Sequence, residues 1–275
     1  MFEQLIAIGE YPALQQEQKR SFSDKLLTLI KAYGVVFFSI ILVAAPVIVL
    51  TDYLVVHALH FKGINSQGKV SMSQFIHKLG YWKAILYVCL IGPVIEETIF
   101  RLPLSFKKVY LALSIAFAAF LFSSIIPGAK ELNHNIGVWY AFAVKLAASV
   151  IIFFAVWRLM PSGINISDKL KTRVIIASMC LFGLMHISNY SPLQWPIIWL
   201  YPIYVLPQFF MGWLITFVRF KNGFIWGIAL HCLINSVSMA FTSVYSAPFK
   251  AKINHTTISN TKMVTDTITR PKSRK

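Results

Sequence analysis

Charged residues are scarce in this sequence of 275 residues, where Asp, Glu, Lys and Arg together make up 13%. A typical soluble domain carries about twice that share. Acidic residues are the scarcest, with 10 Asp and Glu against 26 Lys and Arg, whereas hydrophobic residues make up 57%. Too few charges are present to cover a soluble domain, so the composition predicts an integral membrane protein.

Cysteine is also rare, which excludes two kinds of structural site. The three cysteines are Cys89, Cys180 and Cys232, and all lie in apolar runs without a CxxC pair. An odd count without paired spacing supports neither a disulfide framework nor a thiolate zinc site. The first 31 residues also lack the short basic start and apolar core of a signal peptide.

Long apolar runs are what the sequence does contain. A hydrocarbon core requires about 20 consecutive apolar residues in a helix. Seven runs approach or exceed that length, at 33–54, 82–104, 109–126, 136–160, 174–190, 195–218 and 223–245. They predict an all-α, polytopic transmembrane helical bundle with about seven to eight spans. The bundle would cover residues 33–245, between a cytoplasmic or interfacial segment at 1–32 and a basic, disordered tail at 246–275.

The formal charge of +16 comes from Lys and Arg at the edges of the apolar runs and in the tails. This placement is typical of topology control and of contact with anionic lipids, and it argues against nucleic-acid binding. With seven spans, several of these residues would lie on the same side of the membrane as the N-terminus, including Lys107, Arg158 and Arg219. The positive-inside rule therefore places the N-terminus in the cytoplasm, whereas seven spans would put the basic tail outside.

The segment Gly92-Pro93-Val94-Ile95-Glu96-Glu97-Thr98-Ile99-Phe100-Arg101 sets three charges inside an apolar run. Intramembrane charges are costly and usually functional. Glu97 and Arg101 are four residues apart and can pair on one helix face. Glu96 lies about 100° around the helix, near Gly92, so the two carboxylates need not share a role. If a helix restarts at Pro93, Glu96 would also lie near its N-terminus. This motif alone leaves an enzyme and a transporter open.

Two further polar motifs lie in apolar runs: Phe182-xxx-His186 and His231-xxx-Asn235. Hydrolysis of a peptide bond needs a base for water, donors for an oxyanion and a proton for the leaving amine. A glutamate, two histidines and an asparagine could supply all three. Glu96, His186 and His231 could also hold zinc, but the sequence has no HExxH and draws these residues from three helices. Metal-free chemistry without a cofactor is therefore favoured.

The three motifs, in this order and each in a membrane span, resemble the CAAX protease and bacteriocin-processing family, also called the Abi family. The resemblance covers roughly residues 80–245. It implies an all-helical intramembrane endopeptidase of the glutamate type. By this resemblance Glu96 is the base that acts on water together with His186, His231 and Asn235 form the oxyanion hole, and Glu97 and Arg101 brace the site.

Members of this family cut membrane-associated proteins or peptides, and some remove the last three residues of prenylated CaaX proteins. The expected partners are such a substrate, with or without a lipid, and anionic lipids at the basic loops. A bacterial inner membrane is the expected location. Two alternatives remain: a transporter that uses Glu96, Glu97, Arg101 and Lys145, or a non-catalytic immunity or scaffold protein on the same fold. Lys145 and Gln208 are otherwise interpreted as structural.

Overall fold

The computed structural model describes residues 2–14, 20–123, 138–161 and 166–241. These ranges are almost entirely helical and contain no strand, which confirms the all-α prediction. The helices are α1 Phe2–Ile6, α2 Tyr11–Leu14, α3 Phe22–His57, α4 Ile64–Leu79, α5 at 81–100, α6 Lys108–Phe122, α7 Val138–Leu159, α8 Asp168–Met185, α9 Tyr201–Tyr204, α10 Leu206–Asn222 and α11 Phe224–Phe241.

Four of the described helices are long and apolar enough to cross a membrane: α3, α7, α11, and α8 with its 3-10 extension to Tyr190. A fifth candidate is the run predicted at 195–218, which forms two helical pieces, Trp195–Tyr204 and Leu206–Asn222, bent by 42°. Helix α5 is not among them, and α6 is a shorter apolar helix. The count of seven to eight spans stays a prediction, and the predicted tail at 246–275 lies outside the described residues.

Large apolar side chains face outward along these helices. Leu50 on α3, Ile151 on α7 and Ile225 on α11 are each more than half exposed. A soluble protein would not leave so much contiguous apolar surface in water, whereas a bilayer covers it at no cost. The protein is therefore an integral, multi-pass membrane protein.

Helix α10 lies at the centre of the bundle, packed against α3 and α8. Its second half is buried almost without interruption, including Ile215, Phe217 and Val218. Such a helix, buried on all sides, needs neighbours around it, and α11 supplies Leu230 and Ile234 to the same cluster. The buried side chains of α10 and of the helices around it therefore form one apolar core.

The N-terminal segment packs against α10. The Tyr11 side chain is fully buried, and its hydroxyl donates to the Leu5 carbonyl at 2.8 Å. Trp213 Nε1 on α10 donates to both the Leu5 carbonyl and the Tyr11 hydroxyl, each at 2.7 Å. Burial raises the pKa of Tyr11, so its hydroxyl stays protonated and remains a donor. Helix α3 begins inside the predicted 1–32 segment, where Ser21 Oγ caps it by accepting from the Asp24 amide at 3.1 Å.

Helices α3 and α5 each cross a proline without ending. A π-helical turn, Ile40–Ala44, precedes Pro46, and a second, Tyr87–Ile91, precedes Pro93 at the same spacing. The wider turn accommodates a proline ring that would clash with an α-helical carbonyl. The helix restart at Pro93 that the sequence left open therefore does not occur. Glu96 lies within a continuous helix and not near an N-terminus.

A second apolar cluster supports the chain that follows α8. It joins Val55 of α3 and Ile64 of α4 to Tyr201 and Tyr204 of α9. The Tyr204 hydroxyl donates to Asp52 Oδ1 at 3.0 Å, which gives the carboxylate of α3 a partner. Helix α4 packs on the 3-10 turn His186–Tyr190, so this cluster holds the end of α8 in place.

Candidate active site

The C-terminal half of α5 carries two glutamates into different surroundings. The side chain of Glu96 is 22% exposed, whereas that of Glu97 is 1% exposed. Glu96 Oε1 lies 3.9 Å from the position that a Cβ on Gly92 would take, as the helical spacing predicts. The two adjacent carboxylates therefore differ in access, and Glu96 is the more accessible of the two.

Serine hydroxyls from two neighbouring helices hold the end of α5. Ser114 Oγ on α6 donates to the Thr98 carbonyl at 2.8 Å, and Ser178 Oγ on α8 donates to the Phe100 carbonyl. The last carbonyls of a helix have no partner within the helix, so these contacts satisfy groups that would otherwise be unpaired in an apolar setting. They also tie α5 to α6 and α8 next to the glutamates.

Glu97 and Arg101 form a fully buried ion pair one helical turn apart. Glu97 Oε1 lies 3.3 Å from Arg101 Nη1. The Arg101 guanidinium also lies over the Phe182 ring, with its carbon 3.8 Å from the ring centroid. A Cβ at Gly212 would lie 3.2 Å from Arg101 Nη2, so α10 approaches the guanidinium closely. The predicted pairing of Glu97 with Arg101 is present, and aromatic contact adds to it.

His231 of α11 bridges the two carboxylates. Its Nδ1 lies 3.0 Å from Glu97 Oε1, and its Nε2 lies 3.7 Å from Glu96 Oε2. The first distance is a hydrogen bond to a carboxylate that Arg101 keeps ionised, so Nδ1 is the donor. The side chain is 1% exposed, which holds the ring in this orientation. Nε2 is thereby directed at the carboxylate of Glu96.

His186 reaches Glu96 from the end of α8. Its Nδ1 lies 2.8 Å from the Phe182 carbonyl, and because a carbonyl oxygen only accepts, Nδ1 is again the donor. Its Nε2 lies 3.7 Å from Glu96 Oε2. Both imidazoles therefore present Nε2 to one carboxylate oxygen, which accepts no hydrogen bond from the residues that the structure describes.

Asn235 lies one turn beyond His231 on α11 and makes a different contact. Its Nδ2 donates to the Val88 carbonyl at 2.8 Å, in the π-helical turn of α5. Five of the six predicted site residues form one chain of contacts, in the order Arg101, Glu97, His231, Glu96 and His186. Asn235 also connects α11 to α5, one helical turn along α11 from His231.

A comparison with known families finds one match, in the second half of the chain. Residues 152–237 match the model of a family described as Type II CAAX prenyl endopeptidase Rce1-like. This match covers 86 of the 275 residues, and it agrees with the resemblance of the chain to the CAAX protease and bacteriocin-processing family. The matched segment contains His186, His231 and Asn235, whereas Glu96, Glu97 and Arg101 precede it. No curated protein and no solved structure matches the chain.

The matched family indicates the general kind of activity to expect of the chain. The family consists of intramembrane endopeptidases, which are hydrolases of peptide bonds. Its substrates are membrane-associated. A histidine-supported carboxylate enclosed by apolar helices suits this chemistry, because the helices exclude bulk water from the reacting groups.

Sequence reasoning missed one buried charge near the CAAX protease motifs. Arg219 of α10 is 3% exposed, and its Nε and Nη1 have no hydrogen-bond partner among the described residues. A Cβ at Gly227 of α11 would lie 3.2 Å from its Cβ, so the two helices meet at this arginine. Its position before Lys221, at the end of an apolar run, is typical of a topology signal, and no pattern in the sequence distinguishes it from one.

Two other polar residues that the sequence placed in membrane spans are Gln208 and Lys145. Gln208 lies in the first turn of α10, and its Oε1 is buried without a hydrogen-bond partner in the described part of the chain. Lys145 lies within α7. The described residues contain no group of three or more His, Cys, Asp or Glu with a geometry that would hold a metal ion. Metal-free chemistry, rather than zinc at His186, His231 and Glu96, stays a prediction.

Proposed function

We propose that the protein is a glutamate-dependent intramembrane endopeptidase that cleaves a membrane-associated protein or peptide with an activated water. The observation that carries the proposal is the placement of Glu96 Oε2, which lies 3.7 Å from Nε2 of both His186 and His231. A water oxygen can lie within about 3 Å of Oε2 and of either imidazole nitrogen at these separations. Such a water would contact a general base, Glu96, and an imidazole that orients it at the same time.

Glu96 acts as the general base. Its Oε2 removes a proton from the water as the water oxygen attacks the scissile carbonyl carbon, and His186 Nε2 orients the water by accepting its other proton in a hydrogen bond. General-base catalysis of this kind contributes about 10²–10⁴-fold to a rate. When the tetrahedral intermediate collapses, the proton passes from Glu96 to the leaving amine nitrogen as the C–N bond breaks.

His231 stabilises the oxyanion. In the imidazolium form of His231, which carries a proton on each ring nitrogen, Nδ1–H donates to the ionised Glu97 and Nε2–H donates to the developing negative charge. Asn235 has a second amide N–H besides the one that it gives to Val88, and that group is the other donor of the oxyanion hole. Arg101 keeps Glu97 ionised. The Glu97–Arg101 pair therefore supports His231 in the oxyanion hole by electrostatic attraction.

The proposed substrate is a prenylated or otherwise membrane-tethered chain, cut near its tether, and the proposed location is a bacterial inner membrane. Support comes from the family description, which names a prenyl endopeptidase. Basic residues at the ends of helices, such as Lys107 before α6 and Lys169 in the first turn of α8, would contact anionic lipids. No cofactor is part of the proposed reaction.

The test uses purified protein in liposomes and a fluorescent peptide that ends in CaaX, prepared with and without a farnesyl group. We expect wild type to release the C-terminal fragment, and His186→Ala and His231→Ala to lose about 10²-fold or more of that rate. Glu10→Gln, at an exposed residue of the N-terminal segment, is the control and should cleave like wild type. Failure of wild type to cut either peptide or a membrane-tethered peptide library would refute the proposal.

A further inference from the structure

In the backbone of α5, the Val88 carbonyl lacks a hydrogen-bond donor from its own helix. In the π-helical turn Tyr87–Ile91, the amide of Gly92 donates to the Tyr87 carbonyl, five residues back. The next donor in this register would be the amide of residue 93, and its acceptor would be Val88. Residue 93 is proline and has no N–H, so the Val88 carbonyl has no helical donor.

Asn235 supplies the missing donor from another helix. Its Nδ2 donates to the Val88 carbonyl at 2.8 Å. The amide therefore replaces a backbone group that Pro93 has removed. An unpaired carbonyl in an apolar interior is unfavourable, so this contact stabilises the π-helical turn against its alternatives.

We propose that Asn235 is a positioning residue that holds the π-helical turn of α5 and thereby sets the direction of Glu96. A π-helical turn inserts one extra residue, which rotates everything after it by about 100° relative to an uninterrupted α-helix. That angle equals the angle between adjacent residues, such as Glu96 and Glu97. Loss of the turn would therefore move Glu96 away from both histidines.

The two contacts of α11 act together on α5. His231 holds Glu97 after the π-helical turn, and Asn235 holds Val88 within it. The histidine and the asparagine are four residues apart on one face of α11, which matches the helical repeat. The HxxxN spacing thus joins one helix to both sides of the break in the other. This role is additional to the proposed oxyanion contact, and its effect on rate rests on the proposed function.

Helix α3 offers a matched control for the same backbone break. Its π-helical turn, Ile40–Ala44, precedes Pro46 at the same spacing. Ile41 takes the place in that turn that Val88 takes in α5, and its side chain is 47% exposed, so it lies on the outer surface of the bundle. Replacing Pro46 removes a proline from a comparable turn outside the chain of contacts around the glutamates.

The experiment is a double-mutant cycle between Asn235→Ala and Pro93→Ala, read by kcat and by thermal unfolding in detergent. The Pro93→Ala substitution restores a backbone N–H that can donate to the Val88 carbonyl. We expect Asn235→Ala to lower kcat in both backgrounds, because each loses the proposed oxyanion donor. The loss should be at least about tenfold larger in the wild-type background, where loss of the π-helical turn also misplaces Glu96. Pro46→Ala should give no such rescue. The Tm loss caused by Asn235→Ala should shrink by at least half in the Pro93→Ala background.

Equal losses of kcat and Tm in both backgrounds would overturn the proposal, because the amide would then act independently of the proline. Rescue by Pro46→Ala as large as rescue by Pro93→Ala would also overturn it, since the effect would be a general gain in stability. The Tm cycle needs no activity. If wild type proves inactive, the proposed function fails while the Tm cycle still decides the role of Asn235.

Discussion

Replacing Glu97 by glutamine removes one charge of the buried ion pair with little change of shape. The amide oxygen of the new side chain can still accept from His231 Nδ1, so the substitution isolates the charge. Arg101 then keeps a buried guanidinium whose nitrogens have no hydrogen-bond partner among the described residues. Breaking a buried pair from one side costs about 3–5 kcal/mol, because the remaining charge is left uncompensated.

The contact of Arg101 with Phe182 reduces this cost. A desolvated cation–π contact contributes about 2 kcal/mol, and the 3.8 Å stacking on Phe182 does not depend on Glu97. We therefore expect a loss near the lower limit, about 3 kcal/mol. For a chain of this size, that corresponds to a Tm lower by about 6–12 °C.

An exposed ion pair in the same chain provides the control. Lys171 Nζ and Asp168 Oδ1 are 2.9 Å apart, closer than the buried pair, but the Asp168 side chain is 84% exposed. Exposed pairs contribute about 0–1 kcal/mol, so Asp168→Asn should lower the Tm by less than about 4 °C. Thermal unfolding of both variants in the same detergent measures the difference.

The double variant Glu97→Gln/Arg101→Met completes the test. Removing both charges leaves no uncompensated ion, so the Tm should recover most of the loss seen with Glu97→Gln alone. The reasoning would be refuted if Glu97→Gln cost no more than Asp168→Asn. It would equally be refuted if the double variant were less stable than Glu97→Gln.

Three further outcomes follow from the structure. Gly183→Ala should destabilise the protein by about 1–3 kcal/mol, because its Cβ would lie 2.6 Å from the Phe209 ring. Gly34→Ala, whose Cβ would have no atom within 4 Å, should instead stabilise helix α3 by about 0.5–1 kcal/mol. Equal Tm shifts in the two variants would contradict the packing around Gly183. Tyr11→Phe should lower stability by about 0.5–1.5 kcal/mol, since Trp213 loses one acceptor, and an unchanged Tm would show that the contact contributes nothing. Cleavage should survive incubation with EDTA or phenanthroline, whereas activity that disappears and returns with added Zn²⁺ would establish a metal-dependent mechanism.

Local spacing in the sequence predicts the contacts that lie within one helix. Glu97 pairs with Arg101 because residues four apart share a helix face, and Glu96 turns toward Gly92 for the same reason. Ser21 caps α3 by accepting from the amide three residues later, the spacing typical of a serine N-cap. These features depend on helical geometry alone, so no knowledge of the tertiary structure is needed to derive them.

Contacts between helices depend on rotation and depth, which spacing does not encode. His231 could have faced either carboxylate or neither, and only the packed bundle shows that it bridges both. Arg219 has the sequence position of a topology signal but is buried. Pro93 left a helix restart open, and a π-helical turn instead lets α5 continue through it. In each case the deciding interaction depends on how the helices pack and not on local spacing.

The central claim is that Glu96 activates the water that cuts the peptide bond. Its most direct test is the cleavage rate of wild type and Glu96→Gln in the same liposomes, with equal amounts of folded protein. Glutamine keeps the shape and cannot take the proton, so the variant should lose about 10²–10⁴-fold of the rate while its Tm stays close to that of wild type. A Glu96→Gln protein that cleaves as fast as wild type would contradict the claim.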